Sequence, residues 1–150
     1  MDTIKTLERT LHSEVPLTEK MGLRVEEHDE NELLLHADFE PNINIHGTAF
    51  GGSLYSICAV TCWGMLHLRF EEEGIPAHCV LGRADIVYLL PVKGDIKARC
   101  RLPEDGSVAQ MLQNLKSGQK SRIELKAEIY TEDGVAVVYT GNYSAFIKQN

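Results

Sequence analysis

The chain has 150 residues, 43% of them hydrophobic, which is enough for one compact domain over residues 1–150 with a real core and no composition break marking a second. Its net charge of -7 argues against a nucleic-acid partner, because phosphate recognition needs a clustered basic surface. The first fifteen residues carry charges throughout and no apolar run, so no secretory signal is expected and the predicted location is cytoplasmic, off the membrane.

Ile4, Leu7 and Leu11 recur at helical spacing, which predicts an amphipathic helix over residues 3–14 that Pro16 stops. Met21, Leu23 and Val25 alternate with Arg24, Glu26 and His28. After the turn Asp29-Glu30-Asn31, Leu33, Leu35, Ala37 and Phe39 resume the alternation, giving a hairpin with one wet face. From Gly51 to Leu66 there is no charged residue, and apolar or small side chains run round every face, which predicts a helix enclosed on all sides. Over Gly51 to Leu68 it would be about 27 Å long, short of a hydrocarbon layer of ~30 Å, and Gly64 interrupts it, so it is expected to be buried in protein. Glu71, Glu72 and Glu73 oppose the helix dipole, so the last turn should fray before Gly74 and Pro76 end it.

From Val80 to Leu90 the even positions, Val80, Gly82, Ala84, Ile86, Tyr88 and Leu90, are apolar or small, while Arg83 and Asp85 stand on the odd face. Ile96, Ala98 and Cys100 alternate with basic residues, as do Ile123, Leu125, Ala127 and Ile129 with charged ones. Residues 108–115 fit either a short helix or an irregular loop. The turn Glu132-Asp133-Gly134 leads into Val135, Val137, Tyr139, Tyr143, Ala145 and Ile147. A sheet with one apolar face must wrap that face over something, and the central helix is the one candidate. Cys58, Cys62, Cys79 and Cys100 show no CxxC pair and no histidine at ligand spacing, which favours buried reduced thiols.

Ahead of the central helix stand Asn42, Asn44, His46, Thr48 and the pair Gly51-Gly52. Polar side chains and bare amides thus converge where the helix dipole is positive. Chemistry at a carbonyl carbon needs donors for a developing oxyanion, a base or nucleophile, and a slot for the rest of the substrate. The amides of Gly51 and Gly52 are candidates for the first. His46 and Asp85 are candidates for the second, Asp85 as an isolated carboxylate within an otherwise apolar strand, with an ion pair to Arg83 as the alternative. Asn44 could position water or the carbonyl. Phe50, Ser53, Leu54, Tyr55 and Arg83 are the substrate-binding candidates, with Trp63 beside them. Basic residues gather between 83 and 126, where Lys93, Arg101, Lys116 and Lys120 could hold phosphates, although a solvated strand face explains the charge as well.

The segments Val15 to Val25, Asn44 to Ser56 and Ala84 to Cys100 resemble the hotdog-fold thioesterase superfamily, and the resemblance covers nearly the whole chain. The run Phe-Gly-Gly-Ser-Leu-Tyr also resembles a thioesterase domain found fused behind some GNAT acetyltransferases. The resemblance implies an α+β hotdog fold, with a curled antiparallel sheet round a long helix, and action on acyl thioesters of coenzyme A or acyl carrier protein. It implies homodimers or dimers of dimers whose sheets join edge to edge, with sites at the subunit interface. Coenzyme A enters as part of the substrate, with no metal or redox cofactor. The superfamily's pattern has His-Gly-Gly at the helix start and an acid about eight residues past the first glycine. Here Phe50 replaces that histidine and Ala59 stands in place of the acid, while Asn44 matches an asparagine of the pattern. Two other readings follow from the departures: a non-catalytic acyl-thioester binding module, and a 3-hydroxyacyl-thioester dehydratase pairing His46 with Asp85.

Overall fold

A computed structural model describes residues 2–149. Helix α1 (Thr3–Glu14) is capped by Asp2, whose carboxylate accepts the amide of Ile4 at 3.1 Å. Leu7 and Leu11 are its buried stripe. A four-residue helix α2 (Leu17–Lys20) follows Pro16, so the chain enters strand β1 (Arg24–His28) three residues later than the alternation from Met21 suggests. The Glu8 carboxylate accepts the amide of Val25 at 2.9 Å, tying α1 to β1.

Besides a single 3-10 turn at Glu40–Asn42, the remaining elements are β2 (Glu32–Ala37), α3 (Gly51–Glu73), β3 (Ala77–Tyr88), β4 (Ile96–Arg101), α4 (Ser107–Lys116), β5 (Ser121–Thr131) and β6 (Gly134–Ile147). The strands form one sheet in the order β1-β2-β4-β5-β6-β3, antiparallel at every pairing. The sheet curls round α3, which packs on β2, β3, β4, β5 and β6. Alternation puts Leu35, Ala98, Leu125, Ala127 and Tyr139 on the inner face, each at most 1% exposed. This is the hotdog architecture. Residues 108–115, which fit either a helix or a loop by sequence, lie within α4, with Met111, Leu112 and Leu115 buried.

Gly64 lets the helix lie close against the sheet and α1, since a Cβ there would sit 3.0 Å from a Leu33 methyl. The acidic end of α3 does not fray. Gly74 takes a left-handed conformation at φ 65, the amide of Ile75 reaches the carbonyl of Phe70 at 2.9 Å, and the turn closes as a Schellman cap. Arg69 pairs with Glu72 at 3.0 Å and Lys116 with Glu73 at 3.2 Å, which neutralises the charge that opposed the dipole.

Two expectations about faces are corrected. Helix α3 is not enclosed on all sides: Tyr55, Ser56, Ala59, Val60, Trp63 and His67 lie on a face that the sheet and α1 leave partly open. In β3 a bulge between Leu81 and Arg83 shifts the pairing with β6. Before it the odd residues Ala77 and Cys79 point inward and Val80 is 50% exposed; after it the even residues Ala84 and Ile86 take the inner side. Among the described residues no helix is long and apolar enough to cross a membrane.

Candidate active site

The loop from residue 42 to residue 50 delivers the chain to the start of α3, and its asparagines are spent on folding it. Asn42 is 2% exposed, and its side-chain amide donates to the carbonyls of Met21 at 2.9 Å and Asp38 at 2.7 Å. The Asn44 side-chain oxygen accepts the amides of His46 at 2.8 Å and Thr48 at 3.1 Å, while its nitrogen donates to the Thr48 hydroxyl at 2.9 Å. With both ends engaged, Asn44 shapes the turn. His46 sits exposed on that turn, its ring without a hydrogen bond or ion pair among the described residues.

Phe50 precedes α3 with extended backbone and no side-chain cap. The amides of Ser53 and Leu54 both donate to the Phe50 carbonyl, at 3.0 and 3.1 Å, whereas those of Gly51 and Gly52 have no acceptor among the described residues. First-turn amides cannot be satisfied inside the helix, so this pair is available to a ligand. The half-exposed Phe50 ring lies over Gly52, where a Cβ would come within 2.5 Å of it.

Each amide belongs to a glycine that lines its own cavity. Gly52, Phe50 and Ser53 line one of about 340 Å³, walled by Leu17, Lys20 and Met21. Leu17, Met21 and Ser56 are shared with a neighbouring groove of about 310 Å³, where Tyr55, Ala59, Val60 and Trp63 meet Val15, Leu81 and Tyr143. The two run on into one another, so the open face of α3 is an apolar channel that starts beside Gly52. On the other side, Gly51 and Leu54 line a cavity of about 360 Å³ with Tyr88 and Pro91. Leu54 itself is core, at 4% exposure. A larger cavity of about 550 Å³ lies at the far end of α3, where Arg69, Glu73 and Lys116 are already paired with one another or with Glu72.

Asp85 and Arg83 are both exposed on β3, with no ion pair between them, and their strand is paired only with β6. The expected burial of Asp85 is absent, because beyond the bulge the odd residues of β3 stand on the outer face of the sheet. Neither Asp85 nor His46 lines the cavities of Gly51 and Gly52. Of the phosphate candidates, Arg101 pairs with Glu32 at 3.2 Å and Lys116 with Glu73, so both are committed elsewhere.

The four cysteines are unpaired and buried. Burial pushes the Cys79 thiol up to about 12 and Cys58 higher still, so neither is a nucleophile at neutral pH. His36, Asp38 and Asp95 have donor atoms at metal-ligand spacing on the outer side of the sheet. Their own contacts close the group: His36 Nε2 lies 3.1 Å from Asp95, its Nδ1 3.4 Å from Glu26, and Arg24 reaches Asp38 at 3.2 Å.

Residues 4–147 match the family described as "Putative thioesterase (yiiD_Cterm)". The chain belongs to that family. A protein from Chlorobaculum tepidum, described as of unknown function, is 35% identical over 96% of this chain and 94% of its own, with a TM-score of 0.90. A Shewanella oneidensis structure described as a "putative thioesterase" is 29% identical over 97% of this chain and 98% of its own, with a TM-score of 0.88. A Pseudomonas aeruginosa protein at 18% identity and a TM-score of 0.82, covering 97% of this chain and 96% of its own, shares the fold. The cavity-lining residues that sequence reasoning missed include Leu17, Met21, Ser56 and Tyr88. Leu17 belongs to a short helix with no periodic signal, Met21 caps the end of that helix although its spacing suggests a strand, and Tyr88 has the pattern of an apolar strand residue.

Proposed function

We propose that this chain hydrolyses acyl thioesters of coenzyme A or acyl carrier protein, in the cytoplasm, as a homodimer. The observation that carries the reading is the free amide pair of Gly51 and Gly52, with the cavity beside Gly52 continuing into an apolar groove along α3. The thioester carbonyl accepts these amides, and the acyl chain follows the groove. As water adds to the carbonyl carbon, charge grows on the oxygen against the positive helix end; the C–S bond then breaks and the departing thiolate takes up a proton. Asp85 is our first choice for the group that takes the proton from water, with His46 second. Asp85 stands on the unpaired edge where a second copy would add its own β3, so the reading places it at the subunit interface. Lys20, Arg83 and Lys93 supply positive charge for the anionic end of the substrate.

Among the described residues of one chain, no carboxylate or imidazole lines the cavities of Gly51 and Gly52 or the groove, and this favours a second reading, a non-catalytic acyl-thioester binding module. Thiol release from short, medium, long and aromatic acyl-coenzyme A, with wild type beside Asp85→Asn, separates the two. Turnover on one substrate class that falls at least about 100-fold in the variant is expected for the thioesterase with Asp85 as base. Saturable binding without turnover selects the module, and neither binding nor turnover refutes both.

A further inference from the structure

We infer that Tyr88 is a positioning residue for the amide pair, its hydroxyl holding and polarising the peptide unit that carries the Gly52 N–H. The inference rests on the thioesterase reading and says what prepares the donor on which that reading depends.

The Tyr88 hydroxyl donates to the Gly51 carbonyl at 2.8 Å. The carbonyl of Gly51 and the N–H of Gly52 are opposite ends of one planar amide. In the helix this carbonyl also receives the amide four residues on, so its oxygen accepts twice while the N–H at the other end has no acceptor among the described residues. A hydrogen bond at the oxygen draws electron density along the amide and makes the N–H a stronger donor, by roughly 10–30% per bond. The same bond fixes the plane of the unit. That matters here because Phe50 supplies no side-chain cap, and an uncapped first turn is the part of a helix that opens most readily. Tyr88 comes from the last position of β3, so the phenol anchors the first turn of α3 to the sheet edge.

The ring supports this placement. It packs against Gly51, where a Cβ would lie 3.5 Å from the phenol oxygen, an ordinary contact distance. Burial, followed by the neighbouring Cys58 and Tyr55, raises the phenol above its ordinary value, so it stays protonated as a donor through neutral and mildly alkaline pH. Tyr88 therefore takes no proton from water. Its part is to present the Gly52 N–H, and its loss is felt where charge develops on the substrate oxygen.

The test is Tyr88→Phe, which keeps the ring and removes the hydroxyl. The expected result is a kcat lowered about three- to tenfold, the kinetic equivalent of one neutral hydrogen bond, with KM within twofold and a thermal midpoint lowered by no more than about 2–4 °C. A coenzyme A ketone that mimics the tetrahedral adduct should weaken by the same factor, while a non-hydrolysable thioether analogue binds as before. In 15N-resolved spectra of the free protein the Gly52 amide proton should shift upfield in the variant. An unchanged Gly52 resonance together with unchanged kcat overturns the inference, as does a loss carried wholly by KM. If wild type turns over no thioester, the thioesterase reading falls, and the Gly52 resonance alone still decides whether Tyr88 polarises that amide.

Discussion

The Tyr143 hydroxyl donates to the carbonyl of Ala59 at 2.8 Å, across the gap between β6 and the middle of α3. Its single proton is committed there, so the Tyr139 hydroxyl, 2.9 Å away, must donate to it. The result is a one-way relay of buried hydroxyls from Tyr139 to Tyr143 to the helix, and both rings are at most 1% exposed. The direction has consequences for substitution. Tyr143→Phe strands the Tyr139 hydroxyl and should cost about 1–3 kcal/mol in urea unfolding. Tyr139→Phe leaves the bond to Ala59 intact and should cost less. In the Tyr143→Phe background, Tyr139→Phe should cost nothing further, because the stranded group is gone.

Gly52→Pro tests the amide itself. The N–H it deletes has no partner in the protein, and the first turn is where a helix tolerates proline. The new Cβ displaces only the half-exposed Phe50 ring. The fold should survive, with circular dichroism unchanged, while kcat for thioester cleavage falls by roughly 10²–10³, as for a lost oxyanion donor.

Ala59→Leu adds bulk to the open face of α3, where the groove passes Val60 and Trp63. Shorter acyl chains should then be favoured, read as a KM that rises for long acyl thioesters and stays constant for short ones. A long-chain KM that does not move would show that the chain does not lie in this groove.

Asp95 gives a prediction in acid. The Phe39 amide at 2.8 Å, and after it His36, hold its carboxyl below the ordinary 3.8. A depressed value means that the ionised form is favoured by folding, so this stabilisation is present above about 3.8 and is lost as pH falls through the lower folded value. Asp95→Asn should have a lower urea midpoint than wild type at pH 6, and the gap should close below pH 4. Since Asp95 is about half exposed, the gap is small.

Much of the fold was legible because burial imposes a period. Ile123, Leu125 and Ala127 alternate with exposed charges because one face is covered, whereas the wet face expected of β2 is absent, Leu34 and His36 being buried as well. The charge-free run from Gly51 to Leu66 had to lie under the sheet. What was lost lies where a local event breaks the period. The bulge at Leu81/Arg83 reverses the phase of β3 midway, so Val80 read as inward when it is exposed. Helix α2 is too short to repeat anything. The loop bonds of Asn44, to residues two and four positions further on, leave no periodic signal in the sequence. Tyr88 carried no polar signal, because the bond it makes is to a backbone carbonyl 37 residues distant.

The unpaired edge of β3 is also a lock with its own key. Strands offering bare amides and carbonyls accept almost any extended segment, which is how unwanted association begins. Arg83 and Asp85 flank Ala84, and antiparallel addition of an identical strand centred on Ala84 sets each Arg83 against the other strand's Asp85. Sliding the centre by one residue toward either end sets arginine against arginine or aspartate against aspartate, and opposed like charges destabilise the pairing. Two adjacent side chains of opposite sign thereby let the edge tell one alignment of its own sequence from the neighbouring ones.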